Sequence, residues 1–374
     1  MKIALVYDRV NKWGGAERVL LALKELFPDA PLYTSVYNSK KAQWAKIFKI
    51  TTSFLQHIPF TSSRHEAMPY LMPQAFESFT FDEYDVVISV TSESAKGIVT
   101  KPETLHICYC LTPTRYLWSG YDEYFSNNFF RFFTKPIVTY LQKWDLIAAE
   151  RPDVMIAISD EVKGRIKKFY QRDVEVIYPP LTLDVIKRSE TIPSRTNYFL
   201  VVSRLVPYKR IDLAIRACNK LKLPLVIIGS GSEEKKLCKL AGPTVTFMKN
   251  LTDEELVTYY KNCIALIFPG REDFGLSIIE TESFGKPVVA YKGGGAVETI
   301  VEGVTGEFFY PQTSAALAEK LQFLLKKCIV SDINQKTGYS QDAIVKQAAK
   351  FSKEQFRERI LTLVTSSLSK HSGK

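Results

Sequence analysis

The sequence predicts an α/β fold made of two open domains that face one another, each a parallel sheet flanked by helices. Three observations lead there. Short apolar runs alternate with helical patterns along the chain, which is the rhythm of βα units. A proline-rich polar stretch at 178–197 (YPPLTLDVIKRSETIPSRTN) interrupts that rhythm and reads as an interdomain linker. At 374 residues and 46% apolar composition, the chain also exceeds the usual size of one hydrophobic core.

The first domain is expected over 1–180. IALVYD (3–8) opens it as a strand, with a helix over 15–27. Strands follow at LYTSV (32–36), DVVISV (85–90), LHICYC (105–110), VMIAIS (154–159) and VEVIY (174–178), and helices near 128–149 and 160–170. The second domain, over 181–345, repeats the series: YFLVVS (198–203), PLVIIG (224–229), VTFM (245–248), IALIFP (264–269) and PVVAY (287–291) as strands. Its helices are expected at 209–221, 232–240, 252–262, 276–285 and 314–327. A last stretch of about 341–367 carries apolar residues at helical spacing, so 346–374 is expected to be one helix packing back over the first domain, then a polar tail.

Composition narrows the function classes. Mean hydropathy is near zero and no run of roughly 18 apolar residues offers a membrane span. The opening MKIALVYDRV enters a strand pattern at once, without a signal-peptide cleavage site, so a cytoplasmic protein, or one peripheral on the inner face of the cell membrane, is expected. Six cysteines lie without a CxxC pair and four histidines lie far from them, so neither a zinc site nor a disulfide framework is expected. The net charge of +10 comes mostly from 178–374, with 28 basic against 20 acidic residues. A phosphate-bearing ligand, an anionic membrane surface, nucleic acid or a plain solvated surface would each account for it. The basic residues of the final segment lie at helical spacing rather than among aromatics, which argues against nucleic acid as a partner.

In an open parallel sheet, ligands bind beyond the carboxyl ends of the strands. In the second domain Arg204 follows one strand end and Lys209 closes the same loop, a fork and a point charge suited to adjacent phosphates. The next candidate is PGREDFG, after which a helix starts near Gly275. The amides of Phe274 to Ser277, with Leu276 between them, are orphans of a helix start, and Gly275 admits a close approach to the backbone. Glu272 lies on that loop and Glu280 about five residues into the helix, roughly 7 to 8 Å along its axis. Hydroxyls of a sugar and of a ribose are partners that make sense of such acids beside phosphates. GGG at 293–295, centred on Gly294, and GSGS at 229–232 supply further tight loops, though GSGS lacks the lysine of a P-loop.

Taken together, SRLVPYKRID, VTFMKNLTDEEL, ALIFPGREDFGLSIIETESFGKPVVA and GGGAVETIVEGVTGEFF resemble glycosyltransferase family 4. That resemblance implies a GT-B fold of two facing Rossmann-like domains and a retaining, metal-independent transfer from a nucleotide-sugar donor, with no further cofactor. By the match Arg204 and Lys209 would bind the pyrophosphate and Glu272 the transferred sugar. Glu280 would bind ribose, Leu276 and Ser277 would supply amides, and Leu251 would lie beside the base. In the first domain WGGAERVL (13–20) places Gly14 and Gly15 at the loop that closes on the donor in that family. AFESFTFDEYDVVISVTSESAKGIV and HICYCLTPTRYLW look like bacterial family 4 mannosyltransferases of polysaccharide assembly, which implies GDP-mannose as donor and a saccharide, lipid-linked, as acceptor.

One departure stands out: Leu111 occupies the position where those relatives carry histidine, and His106 cannot be assumed to replace it. A non-catalytic sugar-nucleotide-binding homologue and a sugar-nucleotide epimerase of the same architecture are therefore kept as alternatives. The sequence also holds an aromatic and basic cluster, Phe129, Phe130, Phe132 and Phe133 with Arg131 and Lys135, which either meets a lipid surface or packs as core.

Overall fold

The computed structural model describes residues 1–59, 61, 68–124, 128–183, 198–334 and 338–371, with side chains left undescribed at 123–124, 128–130 and 328–334. The chain divides into two compact units, Met1–Pro180 with Lys353–Lys374, and Leu181–Ser352. Most of the linker expected over 178–197 lies outside the described residues, as do the side chains of Phe129, Phe130 and Cys328.

The N-terminal unit is built on seven parallel strands: β1 (Ile3–Tyr7), β2 (Leu32–Thr34), β3 (Ile50–Thr52), β4 (Val86–Thr91), β5 (Leu105–Cys110), β6 (Val154–Ala157) and β7 (Glu175–Val176). They lie in the order β3-β2-β1-β4-β5-β6-β7. The strands are near-continuous apolar runs because helices cover both faces of the sheet, and β4 and β5 are buried at every position. β3 was not legible in the sequence, since ITT is three half-buried residues at an edge.

The second unit has six parallel strands: β8 (Phe199–Val202), β9 (Leu225–Ile228), β10 (Val245–Met248), β11 (Ala265–Phe268), β12 (Val288–Tyr291) and β13 (Gly306–Phe309), ordered β10-β9-β8-β11-β12-β13. Successive residues serve opposite faces. Phe199, Val201, Ile227, Ile267 and Val289 pack in one core cluster. Leu200, Ile228, Leu266, Val288 and Ala290 pack in the other. The helix Asp253–Asn262 begins where Thr252 and Glu255 close a capping box, satisfying two amides that would otherwise be orphaned.

The terminal region departs from expectation. The single helix predicted over about 341–367 is two helices, Gln341–Ala348 and Lys353–His371, separated by a 3-10 turn at Ala349–Phe351 and an extended Ser352. The first half belongs to the second unit, which ends at Ser352 rather than 345, and the second half to the N-terminal unit. Helical spacing of apolar residues was retained on both sides of the break, so periodicity alone did not register it. Lys353–His371 then returns across the N-terminal unit: Phe356 meets Tyr109 edge-on with centroids 6.0 Å apart, and His371 contacts the carbonyl of Pro102 at 2.7 Å.

Candidate functional site

In the second unit the strand order reverses at β8, whose neighbours are β9 on one side and β11 on the other. Loops leaving the carboxyl ends of β8 and β11 diverge there, and a crevice follows from the topology itself. The two loops are Ser203–Arg210 and Pro269–Gly275, which hold Arg204, Lys209 and Glu272. Sequence and topology therefore converge on one place.

The crest is held together backbone to backbone. Gly229 adopts φ 146, and a Cβ on it would lie 1.9 Å from the Ser203 carbonyl oxygen. Gly294, with φ 67, would bring a Cβ to 2.3 Å from the carbonyl oxygen of Glu272. Neither position tolerates a side chain without moving the loop that carries a candidate residue. The amide of Gly295 donates to that same Glu272 carbonyl at 2.9 Å, so the GGG loop fixes the backbone of Glu272 directly.

Lys209 and Glu272 form an ion pair, each side chain more than four-fifths buried. Arg204 is exposed and donates to the Tyr208 hydroxyl at 2.6 Å, while the Lys209 ammonium lies 5.3 Å from the Tyr208 ring centroid. Tyr208 thus stands against both cations, a role that the sequence pattern did not disclose. Phe274 is buried edge-on to Phe351 with centroids 5.5 Å apart. Gly275 caps the seven-residue helix Leu276–Glu282, in which Leu276 and Ser277 are half-buried.

Glu280 does not lie at the surface. It is 5% exposed, and its Oε2 accepts from the Tyr260 hydroxyl at 2.7 Å. Tyr260 stacks on Phe284 at 6.0 Å, which holds the phenol in place. Leu251, half-buried, follows the left-handed Asn250 after β10. Two positions beyond Glu280, Glu282 is fully buried, and burial pushes its pKa up to about 8 against a smaller opposing contribution from Thr305. Glu282 is a buried acid that stays protonated at neutral pH.

The carboxyl ends of the N-terminal strands are organised by charge. Asp8, one residue past β1, accepts from the amides of Ser92, Glu93, Ser94 and Ala95 at 2.7 to 3.0 Å, and from the Thr91 hydroxyl at 3.0 Å. Beside it Arg9 pairs with Glu93; burial opposes its charge, but Glu93 outweighs that and raises the guanidinium pKa. Lys96 and Asp145 form a pair at 2.6 Å with both side chains 1% exposed. Asp145 also accepts from Thr114 at 2.8 Å and from Trp118 and Tyr170 at 2.7 Å each. Burial works against the charge on Lys96, yet Asp145 holds its pKa above the usual lysine value. No sequence signal links Lys96 to Asp145, because their proximity is a product of the tertiary fold.

Gly14 and Gly15 lie at the start of the helix Gly15–Leu26, where a Cβ on Gly14 would come 3.2 Å from Oε2 of the buried Glu17. The Tyr7 hydroxyl donates to Glu17 at 2.6 Å. Leu111 is buried at the end of β5. His106 is fully buried in that strand against the Ser89 hydroxyl at 2.8 Å, and burial lowers its pKa to about 3. It is a neutral imidazole inside a sheet, and it does not take the place of a histidine at 111. Cys108 and Cys110 are likewise buried in the strand. Among the described residues, no group of His, Cys, Asp and Glu is placed to hold a metal ion, and no helix is long and apolar enough to cross a membrane.

Residues 184–343 match the family model for glycosyl transferases group 1. A D-inositol 3-phosphate glycosyltransferase of Frankia alni is 28% identical over 204 residues, 46% of this chain and 50% of that protein. An uncharacterized glycosyltransferase of Methanocaldococcus jannaschii is 24% identical over 183 residues, 48% of this chain and 51% of its own. The chain thus spans about half the length of these curated relatives. Among solved structures, HepE of Anabaena in complex with UDP and glucose aligns over 98% of this chain and 100% of its own at TM-score 0.73 and 21% identity. Sucrose-phosphate synthase of Thermosynechococcus elongatus aligns over 99% and 100% at TM-score 0.77 and 15% identity. The shared fold is the two-domain α/β architecture of GT-B glycosyltransferases.

Proposed function

We propose that this chain is a retaining glycosyltransferase that moves a hexose from a nucleotide-diphosphate sugar onto a saccharide carried on lipid. The observation that carries this reading is the Lys209–Glu272 pair beside the exposed Arg204, at the switch point of the second unit. In the ligand-free chain the lysine and the glutamate neutralise each other. A diphosphate entering beside Arg204 takes Lys209 as its counter-ion, and Glu272 turns to accept hydrogen bonds from hydroxyls of the sugar.

The step itself needs little covalent chemistry from the protein. The bond between the anomeric carbon and the β-phosphate oxygen breaks, and the acceptor oxygen bonds that carbon on the same face. The acceptor proton passes to the departing phosphate, so the configuration is retained. Arg204 and Lys209 stabilise the negative charge that develops on the leaving diphosphate, without a metal ion, and such preorganised charge is often the largest catalytic contribution. The amides of Leu276 and Ser277, with Phe274, Gly275 and the Gly294 loop around them, line the phosphate and sugar end. Glu280, oriented by Tyr260, receives the ribose hydroxyls, and Leu251 lies beside the base. Gly14 and Gly15 are assigned to donor binding by the family resemblance alone.

Resemblance of the first domain to polysaccharide mannosyltransferases favours GDP-mannose as donor. UDP-glucose is the second reading, favoured by the HepE complexes. A non-catalytic donor-binding protein is the third, favoured by the buried Leu111. A thermal-shift panel of GDP-, UDP- and ADP-sugars separates the donors, since a ligand at 100 times its Kd stabilises the fold by about 2.7 kcal/mol. Turnover of the stabilising donor by the parent, and its loss in Glu272→Ala, is the expected result. Binding without transfer or hydrolysis under any acceptor condition selects the non-catalytic reading, and no stabilisation by any sugar nucleotide removes all three.

A further inference from the structure

The helix Asn128–Glu150 presents two unlike faces. Its inner face carries Val138, Leu141, Trp144, Asp145, Ala148 and Ala149, all buried. Asp145 on that face is saturated by Lys96, Thr114, Trp118 and Tyr170, so the helix cannot rotate about its axis without uncovering a buried charge. The outer face is therefore a fixed surface.

That outer face is apolar where solvent-facing helix surfaces are normally polar. Phe132 is 73% exposed, Phe133 61% and Ile147 57%, with Ile137 and Tyr140 also exposed. Residues 133, 137, 140, 144 and 147 repeat at helical spacing along one line, four of them exposed and only Trp144 turned inward. The exposed Pro136 lies on the same side. Sixteen residues from 132 to 147 make this stripe roughly 24 Å long at 1.5 Å per residue. Arg131, Lys135 and Lys143 are exposed on its flank, and the only acid from 131 to 149 is the buried Asp145. Arg131 is held by Asp122 at 3.1 Å and lies over the Tyr121 ring at 4.7 Å, leaving Lys135 and Lys143 as the cations of the outer surface.

We infer that this helix is a membrane-docking face, which lies in the plane of an anionic lipid surface with Phe132, Phe133, Ile137, Tyr140 and Ile147 in the acyl boundary and Lys135 and Lys143 among the headgroups. An apolar stripe with a basic flank, on a helix whose one exposed acid is its last residue Glu150, is the chemistry of interfacial helices, whose binding adds buried apolar area to attraction for anionic lipid. A second copy of the chain is the poorer occupant, because from 131 to 149 the face offers Lys135 and Lys143 and no exposed carboxylate to meet them. The inference goes beyond the proposed sugar transfer, since lipid binding of this kind requires no donor.

The test is co-sedimentation of the full chain, without nucleotide sugar, with vesicles of equal phosphatidylglycerol and phosphatidylcholine, or of phosphatidylcholine alone. The parent is expected to pellet with the anionic vesicles and release as salt rises. Each lysine near an anionic surface is worth roughly fivefold in affinity, so Lys135→Glu with Lys143→Glu should weaken binding by at least about 25-fold. Phe132→Ser with Phe133→Ser and Ile137→Ser should abolish it, while circular dichroism and melting temperature stay at parent values because these side chains are exposed. Absence of parent binding, or equal binding by both variants, overturns the inference. A dimer in sedimentation velocity that the serine variant dissociates also overturns it, in favour of a second copy. Donor stabilisation of the parent is measured separately, so failure here leaves the glycosyltransferase reading standing.

Discussion

The two units share a strand order and differ in how they hold the loops at its carboxyl end. In the N-terminal unit a carboxylate does it: Asp8 gathers four amides of the segment after β4, and the buried Lys96–Asp145 pair ties the next two loops to the helix Asn128–Glu150. In the second unit glycines do it, with Gly229 and Gly294 letting backbone approach backbone at Ser203 and Glu272. The difference decides where an anion can bind. The amides around Asp8 already face a negative charge of the chain's own. The loops of the second unit are closed without one, and they carry Arg204 and the Lys209–Glu272 pair at their rim.

If that contrast is right, charges in the first unit serve stability and those in the second serve chemistry. The largest expected effect is on Asp145→Ala, which leaves Lys96 buried and unpaired. Removing one partner of such a pair costs about 3–5 kcal/mol, and denaturant unfolding should record a loss of that size. A loss under about 1 kcal/mol would mean that water reaches Lys96 and that the pair holds nothing together.

Next comes Lys209→Met. Transfer with the stabilising donor should fall by about 100- to 1000-fold, the range for removing one preorganised stabilising group from an active site. Its unfolding free energy should fall by less than that of Asp145→Ala, because the Lys209 and Glu272 side chains are 11% and 17% exposed against 1% for Lys96 and Asp145. Equal damage to stability and rate would erase the distinction between the two units.

The smallest effect concerns Glu282, a fully buried acid of the second unit that burial holds neutral rather than charged. Its folded pKa of about 8 exceeds its ordinary value of 4.5, so folding takes up a proton. The acid's contribution is most favourable below pH 4.5 and is lost progressively as pH rises toward 8. Relative to the parent, Glu282→Gln should therefore stabilise the protein increasingly as pH rises from 4.5 toward 8, because the amide has no proton to lose. A pH-independent difference between the two proteins would show that Glu282 does not titrate there.

Much of the second unit was legible in the sequence because its devices are local. A strand end followed by Arg204 and Lys209, a glycine before a helix, and two glutamates eight positions apart are all separated by a few residues. The pairing of Lys209 with Glu272 was not legible, since 63 positions separate them and only the adjacency of β8 and β11 closes the gap. Nor was the burial of Glu280 beneath Tyr260, which requires two helices to pack. The cluster around Phe132 was legible as composition, but its exposure was not. Helical spacing is the same whether a stripe faces the core or the solvent, and the inner anchor at Asp145 is what turned it outward.

By itself the sequence determined the two α/β units, most of the strands that build them, and the loops of the second one that are proposed to meet a phosphate-bearing ligand. Those are consequences of apolar periodicity, backbone freedom at glycine and charge at strand ends, which act over a turn or a strand. Tertiary structure alone decided which charges are consumed internally and which remain at a rim. Ion pairs such as Lys96–Asp145 and Lys209–Glu272 join residues from distant segments, and their solvation is set by everything packed around them.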